Sequence, residues 1–547
     1  MIQHCSRSGV AFSVEPEDLE FYRRIGVPIP TLCPDERMRR RLSFRNESKL
    51  YHRKCDATKQ NIISMYSPDK PLVVYDNDFW WGDGWDSRSF GRDFDFARPF
   101  FPQFTELLAN APKMARIQQG TNENSKYTNC AGNNKNCYLL FSSSANEDCS
   151  YGSHVRTSRT CFDNYAIHEC ELAYQCVECF HSYDIQYCRE VYHSNTMRHC
   201  LDCRGCNHCF ACAGLRNASY QILNRPVSRS EFERFLSDKN AQRDALRRYN
   251  ALYLSVPRIY ADFVQCEHCT GSYLTNCKNA SYCWSSDSLE DCKYCSNTLG
   301  LKSAYDVDYY GVSGLNELLY ECEGVGLGLF QVYFSKLIWG GCSDITYSYE
   351  CFSSKNLFGC AGMKNGEYCI LNKQYSKAEY DSLVPRIIEH MKLTHEWGEF
   401  FPTEISPFGY NETLANEVFP MRKEEVVARG WKWRDEASHP PSPLETYNPP
   451  ESITDVTDEV LEKVLVCELT GKPYKITRQE LQFYRNQNIP LPTLHPEARH
   501  LERLHLRQPR KLHQRTCDQC TAPILSTYPV DAPEKVCCES CYLAYIK

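Results

Sequence analysis

Between residues 137 and 212, small apolar side chains recur in one phase of a three-residue period. The series consists of cysteines at positions Cys137, Cys149, Cys161, Cys170, Cys176, Cys179, Cys188, Cys200, Cys203, Cys206, Cys209 and Cys212. A β-strand repeats every two residues and an α-helix about every 3.6, so neither accounts for a period of three. The period predicts a solenoid, in which the chain winds and equivalent side chains stack from coil to coil.

A second stretch carries a weaker form of the same pattern. Its later cysteines, Cys342, Cys351, Cys360 and Cys369, are spaced by nine residues. Leu, Val, Phe and Gly replace cysteine before Cys342. We therefore predict a second, less regular solenoid half over residues 263–375, after a first half over 126–222.

Each predicted half ends in the same sequence. Residues 212–232 recur as 360–380, at an offset of 148, and each copy leads into a capping box, Ser228 with Glu231 and Ser376 with Glu379. A capping box marks a helix start. We expect one amphipathic helix from residue 230 to about 254 after the first copy, and helices that close both halves.

The two ends of the chain are also related to each other. Residues 18–37 match 480–499 at an offset of 462, and the pair Cys55-Asp56 matches Cys517-Asp518 at the same offset. Homologous ends either pack together or cap opposite ends of the coil, and the sequence leaves both arrangements open.

Together these patterns predict a mainly β chain. The expected fold is a two-part parallel β-solenoid with a period-3 cysteine ladder and helical caps, flanked by two homologous zinc-ribbon-like α+β ends. The predicted segments are a degenerate zinc-ribbon-like domain 1–110, solenoid half 111–225, helical cap 226–262, solenoid half 263–375, helical cap and Pro-rich linker 376–455 (with prolines concentrated in 439–451), and zinc-ribbon domain 456–547.

The strongest metal motif lies at the C-terminus. Cys517-x-x-Cys520 and Cys538-x-x-Cys541 are separated by seventeen residues, which is typical of the two knuckles of a zinc ribbon. Because four protein thiolates fill a tetrahedral zinc shell, we predict one structural zinc ion with no place for substrate. Cys537 is an alternative to Cys538 as a ligand.

Three other positions retain only part of such a ligand set. In the N-terminal copy Cys55 remains, and we predict no zinc there. Farther upstream, half sets survive in both copies, and we interpret them as degenerate ribbons. The replaced ligand positions are Thr58, Asp76 and Phe79 around Cys55; Ser8 and Glu36 around Cys5 and Cys33; and Thr470 and Ala498 around Cys467 and His495.

The 33 cysteines raise the question of redox state. The start of the chain has no apolar signal segment and the cysteine count is odd, so we expect reduced thiols in the cytoplasm. Cysteine is small and readily buried, which favours a packed ladder inside the coil. Metal or cluster binding and disulfides remain alternatives for the same residues.

Charge adds a second candidate site. The net charge is only −7, but residues 34–54 hold eight Lys and Arg against three acids, and 496–516 hold six against two. Such segments fit contact with nucleic acid or a ribosome, through Arg39, Arg40, Arg41, Arg507 and Arg510. The alternative is a solvated basic face, or one paired with the acidic stretch 76–95.

The absence of common catalytic motifs and of a long apolar run limits the classes of function to consider. The sequence lacks a P-loop, a GxGxxG after a strand, GxSxG and HExxH, and it has no apolar run of eighteen residues. We predict a non-enzymatic, zinc-binding cytoplasmic scaffold with a protein or RNA partner, no membrane association and no evident small-molecule substrate. The alternative is a thiol-based metal-handling or redox protein, or an unrecognised enzyme, that uses the solenoid cysteines.

Five stretches carry a family resemblance, namely residues 53–71, 91–101, the two copies that begin with Cys-Ala-Gly, and 406–413. With them the chain resembles, over nearly its full length, a family of cysteine-rich proteins from small-genome bacterial candidate phyla. Its ends are similar to small bacterial probable zinc-ribbon units. The resemblance implies zinc-ribbon units around a cysteine-rich repeat and carries no particular activity.

Overall fold

A computed structural model describes residues 1–309, 316–435 and 445–546. The described chain is strand-rich, with long parallel sheets and several helices, so the prediction of a mainly β protein is confirmed. It forms two compact units. Unit 1 joins Met1–Arg116 to Ala261–Asp435, and unit 2 joins Ile117–Tyr260 to the described residues from 445 onward. The predicted Pro-rich linker 439–451 lies partly outside the described residues.

The N-terminal flank (residues 1–116) combines short hairpins with helices. Its elements are β1 (Ile2–His4), β2 (Ala11–Ser13), α1 (Pro16–Ile25), α2 (Pro34–Leu42), β3 (Tyr51–Lys54), β4 (Asn61–Ser64), β5 (Val74–Tyr75), α3 (Asn77–Trp81), α4 (Phe100–Asn110) and β6 (Lys113–Met114).

The first parallel region (residues 117–226) consists of short strands. They are β7 (Gln118–Glu123), β8 (Thr128–Asn129), β9 (Ala131–Lys135), β10 (Tyr138–Phe141), β11 (Ser150–Arg156), β12 (Tyr165–His168), β13 (Glu171–Tyr174), β14 (Val177–Phe180), β15 (Tyr183–Gln186), β16 (Arg189–Tyr192), β17 (Asn195–Arg198), β18 (Leu201–Arg204), β19 (Asn207–Phe210), β20 (Ser219–Ile222) and β21 (Arg225–Pro226). After it come α5 (Arg229–Ser237), α6 (Lys239–Ser255) and β22 (Arg258–Ile259).

The second parallel region (residues 261–374, described except for 310–315) is followed by further helices. Its strands are β23 (Phe263–Val264), β24 (Gly271–Thr275), β25 (Lys278–Ser281), β26 (Cys283–Lys293), β27 (Leu299–Asp308), β28 (Asn316–Glu323), β29 (Phe330–Tyr333), β30 (Lys336–Trp339), β31 (Ser343–Thr346), β32 (Tyr349–Phe352), β33 (Lys355–Phe358), β34 (Glu367–Ile370) and β35 (Lys373–Gln374). The helices are α7 (Lys377–Leu393), α8 (Leu414–Val418) and α9 (Lys423–Ala428).

The C-terminal flank (residues 445–546) repeats the order of the N-terminal one. Its elements are β36 (Leu465–Val466), β37 (Pro473–Tyr474), α10 (Arg478–Gln487), α11 (Pro496–His505), β38 (His513–Thr516), β39 (Pro523–Ser526), β40 (Val536–Cys537) and α12 (Glu539–Tyr545). Adding 462 to the bounds of α1, β3, β4 and β5 gives the bounds of α10, β38, β39 and β40, so the related sequences form matching elements.

A twelve-residue register runs through the first parallel region. Tyr165 pairs with Val177 and Val177 with Arg189, each in parallel. From residue 130 to 223, every third residue has a positive φ between 46 and 69°, with only two glycines in the series. Each twelve-residue repeat therefore contains four backbone bends. The three-residue period of the cysteines in the sequence matches this three-residue period of the backbone. Non-glycine residues pay a steric cost in this conformation, and the ladder of backbone hydrogen bonds between paired strands opposes that cost.

The second parallel region is less regular, as its sequence predicts. Its registers lie at twelve residues for Lys355 with Glu367, thirteen for Lys336 with Tyr349 and fifteen for Lys302 with Glu317. Its core is formed by Leu, Val and Ile together with cysteine.

The predicted capping boxes are confirmed at both helix starts. Ser228 accepts a hydrogen bond from the backbone N–H of Glu231, and Ser376 does so from Glu379. The prediction of one continuous helix after the first copy is wrong. Asp238 ends α5, and its carboxylate caps the first turn of α6. An aspartate favours such a cap because its side chain competes for backbone N–H groups.

Within each unit, one flank packs against one parallel region through the same residues. In unit 1 the ring of Phe21 stacks on Tyr305 with centroids 4.0 Å apart. In unit 2 the equivalent Phe483 stacks on Phe162 with centroids 4.3 Å apart. Each flank thus packs on the parallel region that is farther from it in the sequence. The two arrangements considered from the sequence did not address this pairing.

Candidate metal centre

The four cysteines of the predicted ribbon come from two separate turns of the C-terminal flank. Cys517 and Cys520 lie in the turn between β38 and β39, and Cys538 and Cys541 lie at the start of α12, where Cys538 is the N-cap. In each turn, the spacing of three residues places the two cysteine side chains on the same side of the backbone. The pairing of β38 with β39 holds the first turn, and the parallel pairing of β22 with β40 places the second.

The four sulfur atoms converge. All Sγ atoms lie within 4.8 Å of one another, and those of Cys520 and Cys538 are 3.7 Å apart. Four thiolates bound to zinc at about 2.3 Å in a tetrahedron have sulfurs about 3.8 Å apart. The cluster therefore has the size and donor set needed to hold a metal ion. Cys537, the alternative ligand, is buried in β40 and is not part of the group.

Hydrogen bonds from backbone N–H groups favour the thiolate form of Cys517. The Sγ of Cys517 accepts hydrogen bonds from the N–H groups of Cys538 at 3.3 Å and Gln519 at 3.5 Å. Burial by itself raises the pKa of Cys517, but these donors and the N–H of Cys520 lower it to about 6. A thiolate is the form that binds metals. All four sulfur atoms of the group are supplied by the chain itself.

The matching turn of the N-terminal flank persists without its ligands. The Sγ of Cys55 accepts hydrogen bonds from the N–H groups of Thr58 at 3.4 Å and Asp76 at 3.2 Å, as Cys517 does from its own neighbours. Phe79 stands where a fourth cysteine would be, and the adjacent Trp80 is fully buried. Three of the four positions that hold cysteine in the C-terminal group are thus occupied by other side chains at this turn.

In the upstream half sets, Cys5, Cys33 and Cys467 are buried and His495 is partly buried. The hydroxyl of Ser8 lies 3.8 Å from the Sγ of Cys33, and the N–H of Ser8 donates to Cys5. In the C-terminal copy, Nδ1 of His495 caps helix α11 by accepting the N–H of Glu497 at 3.1 Å. Within the described ranges, the cluster at Cys517 is the one group of three or more His, Cys, Asp or Glu side chains arranged to hold a metal.

The ladder cysteines behave as interior packing. All twelve members are buried free thiols. The thiol of Cys170, for example, lies 3.5 Å from the carbonyl of His168 and 3.3 Å from that of Cys179. Ser182 makes the same pair of contacts, two residues back and nine residues ahead, at 2.9 and 3.4 Å. Each small side chain at this position can therefore satisfy carbonyl groups of the turns next to it.

The predicted nucleic-acid residues occupy contrasting surroundings. Arg41 is fully buried among Asp306, Asp308 and Glu321, and Arg40 is buried against Glu321 and Glu399. Neither guanidinium is accessible to a phosphate in this conformation. The others are more open: Arg39 pairs with Glu36, Arg507 donates to the hydroxyl of Tyr165 at 2.9 Å, and Arg510 is half-buried.

The sequence analysis did not identify the carboxylates that pair with the buried arginines of the two basic segments. Asp163 and Asp306 lie in the parallel regions of units 2 and 1, and each binds two arginines of the flank in its own unit. One signal was available: each aspartate follows an aromatic residue, Phe162 or Tyr305, at a bend position with positive φ. The offset of 143 between them differs from the 148 of the later copies, which conceals the match.

Comparison with known proteins provides no family for this chain: a scan of protein-family models and a search of curated proteins both found no match. Within the described residues, every helix is too short or too polar to cross a bilayer.

Proposed function

We propose that this protein is a non-enzymatic scaffold made of two β-solenoids, each carrying a zinc-ribbon-like flank, with one structural zinc ion in the C-terminal flank. The observation that carries the proposal is the closed set of four thiols at Cys517, Cys520, Cys538 and Cys541. A tetrahedral site filled by protein stabilises a fold and offers no coordination position for catalysis.

The solenoid assignment rests on period and register. Parallel pairing at twelve residues, with a left-handed bend at every third residue, is the pattern expected of a narrow four-sided coil. Cys, Ser, Asn, Ala and aliphatic residues fill the interior positions. Such a coil has a long, regular outer surface, and extended surfaces of this kind are how solenoid proteins contact partners.

A protein partner is better supported than RNA. The basic segments 34–54 and 496–516 direct several of their arginines into buried ion pairs within each unit, which reduces the charge available to phosphates. An association with nucleic acid or a ribosome would depend on Arg39, Arg507 and Arg510. Nucleic-acid binding of this kind weakens steeply as salt rises.

Metal analysis of the purified full-length protein tests the scaffold proposal. We expect about one zinc ion per chain, lost in Cys517→Ser and Cys520→Ser, and retained in the ladder control Cys209→Ser. Several metal ions per chain, an iron-sulfur chromophore, or metal loss in the control would contradict it and favour metal handling by the ladder. RNA binding that falls with salt and with Arg507→Gln and Arg510→Gln would replace the protein partner by RNA.

A further inference from the structure

A lysine and a glutamate lie side by side on neighbouring strands in the interior of unit 1. Glu323 of β28 and Lys336 of β30 pair in parallel register. The Nζ of Lys336 lies 3.7 Å from the Oε2 of Glu323, and both side chains are only 1% exposed. Neither atom makes a hydrogen bond of normal geometry to a residue that the structure describes. Such a pair is costly, because both charges lose their hydration without gaining a good contact.

The surroundings of this pair are aromatic on one side and cationic on the other. The ring of Tyr349, which pairs with Lys336 in the next register, has its centroid 4.8 Å from the Nζ of Lys336. The guanidinium of Arg45 donates to the second oxygen of Glu323, Oε1, at 2.6 Å. The lysine nitrogen is thus confined beside a carboxyl group whose far oxygen is held by a cation.

Glu350 supplies a second carboxylate close to Lys336. It is fully buried, and it is one of the groups that, against the effect of burial, hold the pKa of Lys336 above its ordinary value. The hydroxyl of Tyr66 donates to the Oε1 of Glu350 at 3.3 Å, whereas its Oε2 makes no hydrogen bond within the described chain. Burial raises the pKa of Glu350 itself. A carboxyl group of raised pKa can accept a proton and release it again.

Unit 2 provides an internal comparison, because its matching strands carry no such pair. Following the parallel registers back from the alanines of the two Cys-Ala-Gly copies gives two equivalent columns of residues. The column is Glu323, Lys336, Tyr349 and Ala361 in unit 1, and Val177, Arg189, Leu201 and Ala213 in unit 2. An arginine beside a valine thus replaces the lysine beside a glutamate. The pair is a property of unit 1 and not of the duplicated fold.

We propose that Lys336 and Glu323 condense to an isopeptide bond, which joins neighbouring strands of the second parallel region covalently. Glu350 takes a proton from the ammonium group, and the free Nζ attacks the Cδ of Glu323. Arg45 stabilises the negative charge on Oε1 during the attack. Two protons pass from the nitrogen to Oε2, the first by way of Glu350, and the Cδ–Oε2 bond breaks to release water. An ammonium and a carboxylate thereby become an amide and a water molecule, with no oxidant or reductant.

Mass spectrometry of the purified full-length protein tests this bond. We expect the intact chain to be one water molecule lighter than its sequence, and a proteolytic digest to contain a branched peptide that links Lys336 to Glu323. Lys336→Arg introduces the residue of unit 2 and should restore the full mass. Glu350→Gln should also restore it, because the amide cannot carry the proton. Thermal melting checks that both variants are folded.

An exposed pair on neighbouring strands of the same region provides the control. Glu290 and Lys302 also pair in parallel register, with 3.2 Å between Oε2 and Nζ, and their side chains are 50% and 38% exposed. Lys302→Arg should keep the loss of water, and Lys302 should be unlinked in the digest. Full sequence mass in the parent protein, a loss of water that persists in Lys336→Arg, or a branched peptide between other residues would overturn the proposal.

Discussion

The guanidinium of Arg41 donates a 3.1 Å hydrogen bond to the carboxylate of Asp306, and both side chains are fully buried. Unit 2 repeats the relationship between Arg503 and Asp163, at 3.0 Å. Since Arg41 and Arg503 are 462 residues apart, the duplicated flanks use the same arginine to hold their parallel region. The arginine-rich segments thus have a structural role in both units.

Removing the central carboxylate should destabilise unit 2 strongly. In Asp163→Asn, Arg499 and Arg503 lose their shared partner, and an uncompensated buried charge costs about 3–5 kcal/mol. Asparagine keeps the shape and tolerates the φ of 58° at this position. Urea denaturation of the variant should show this loss in the transition that involves unit 2.

An exposed ion pair of the same flank provides the control for Asp163→Asn. Asp458 pairs with Arg485 at 2.7 Å, with both side chains partly or largely exposed. Asp458→Asn should therefore cost less than about 1 kcal/mol. If Asp163→Asn and Asp458→Asn lowered the free energy of unfolding by the same amount, burial would not be the reason for the strength of the Asp163 contact.

Removing the metal ion that we propose at the four thiols should loosen the C-terminal flank locally. Because the four thiols join β38–β39 to α12, chelation of the bound ion should expose the amides of residues 513–546. Hydrogen exchange measures this change. Strands β12 to β18 lack metal ligands and should keep their protection, and an unchanged C-terminal flank would show that metal does not contribute to its order.

Acid should selectively remove the contribution of Glu399. Burial raises its pKa, but Arg40 at 2.6 Å and two hydrogen bonds from Thr31 lower the pKa to about 2. A carboxylate whose pKa falls on folding stabilises the protein above its unfolded pKa of about 4.5, and this stability is lost as pH falls towards 2. The shift corresponds to about 3 kcal/mol at neutral pH.

The variant Glu399→Gln measures that contribution. Its difference in unfolding free energy from the parent protein should be largest at pH 6 and should shrink by pH 3, since at pH 3 the unfolded carboxylate is protonated while the folded one is still mostly ionised, so that unfolding takes up a proton. Denaturant titrations at the two pH values provide the comparison. A difference that does not change with pH would mean that the charge of Glu399 is not what stabilises this contact.

The loss of stability caused by substitutions in the cysteine ladder should depend on the size of the new side chain and not on its ability to bind metal. Serine already makes the ladder contacts at Ser182, so Cys188→Ser should cost about 1 kcal/mol or less. Cys188→Leu should cost about 1–3 kcal/mol through overpacking of the narrow interior. Thermal denaturation ranks the two variants, and a serine variant as damaging as leucine would indicate a specific need for the thiol.

Much of the local structure could be predicted from patterns that act over a few residues. The period of three in the cysteines matches the backbone bends, the capping boxes at Ser228 and Ser376 begin helices, and two CxxC knuckles bring four thiols together. The interruption at Asp238 was missed because helix periodicity continues through it. A capping aspartate inside an amphipathic pattern is a weak signal beside the apolar residues that surround it.

The sequence by itself determined the strand-rich repeat, the two duplications and the identity of the four clustered cysteines, because each depends on spacing along one stretch of chain. Only the tertiary structure decided which flank packs on which parallel region, and that Arg41 and Arg503 face Asp306 and Asp163. These relationships join residues hundreds of positions apart, and a basic or acidic pattern specifies charge without specifying which opposite charge will be buried against it.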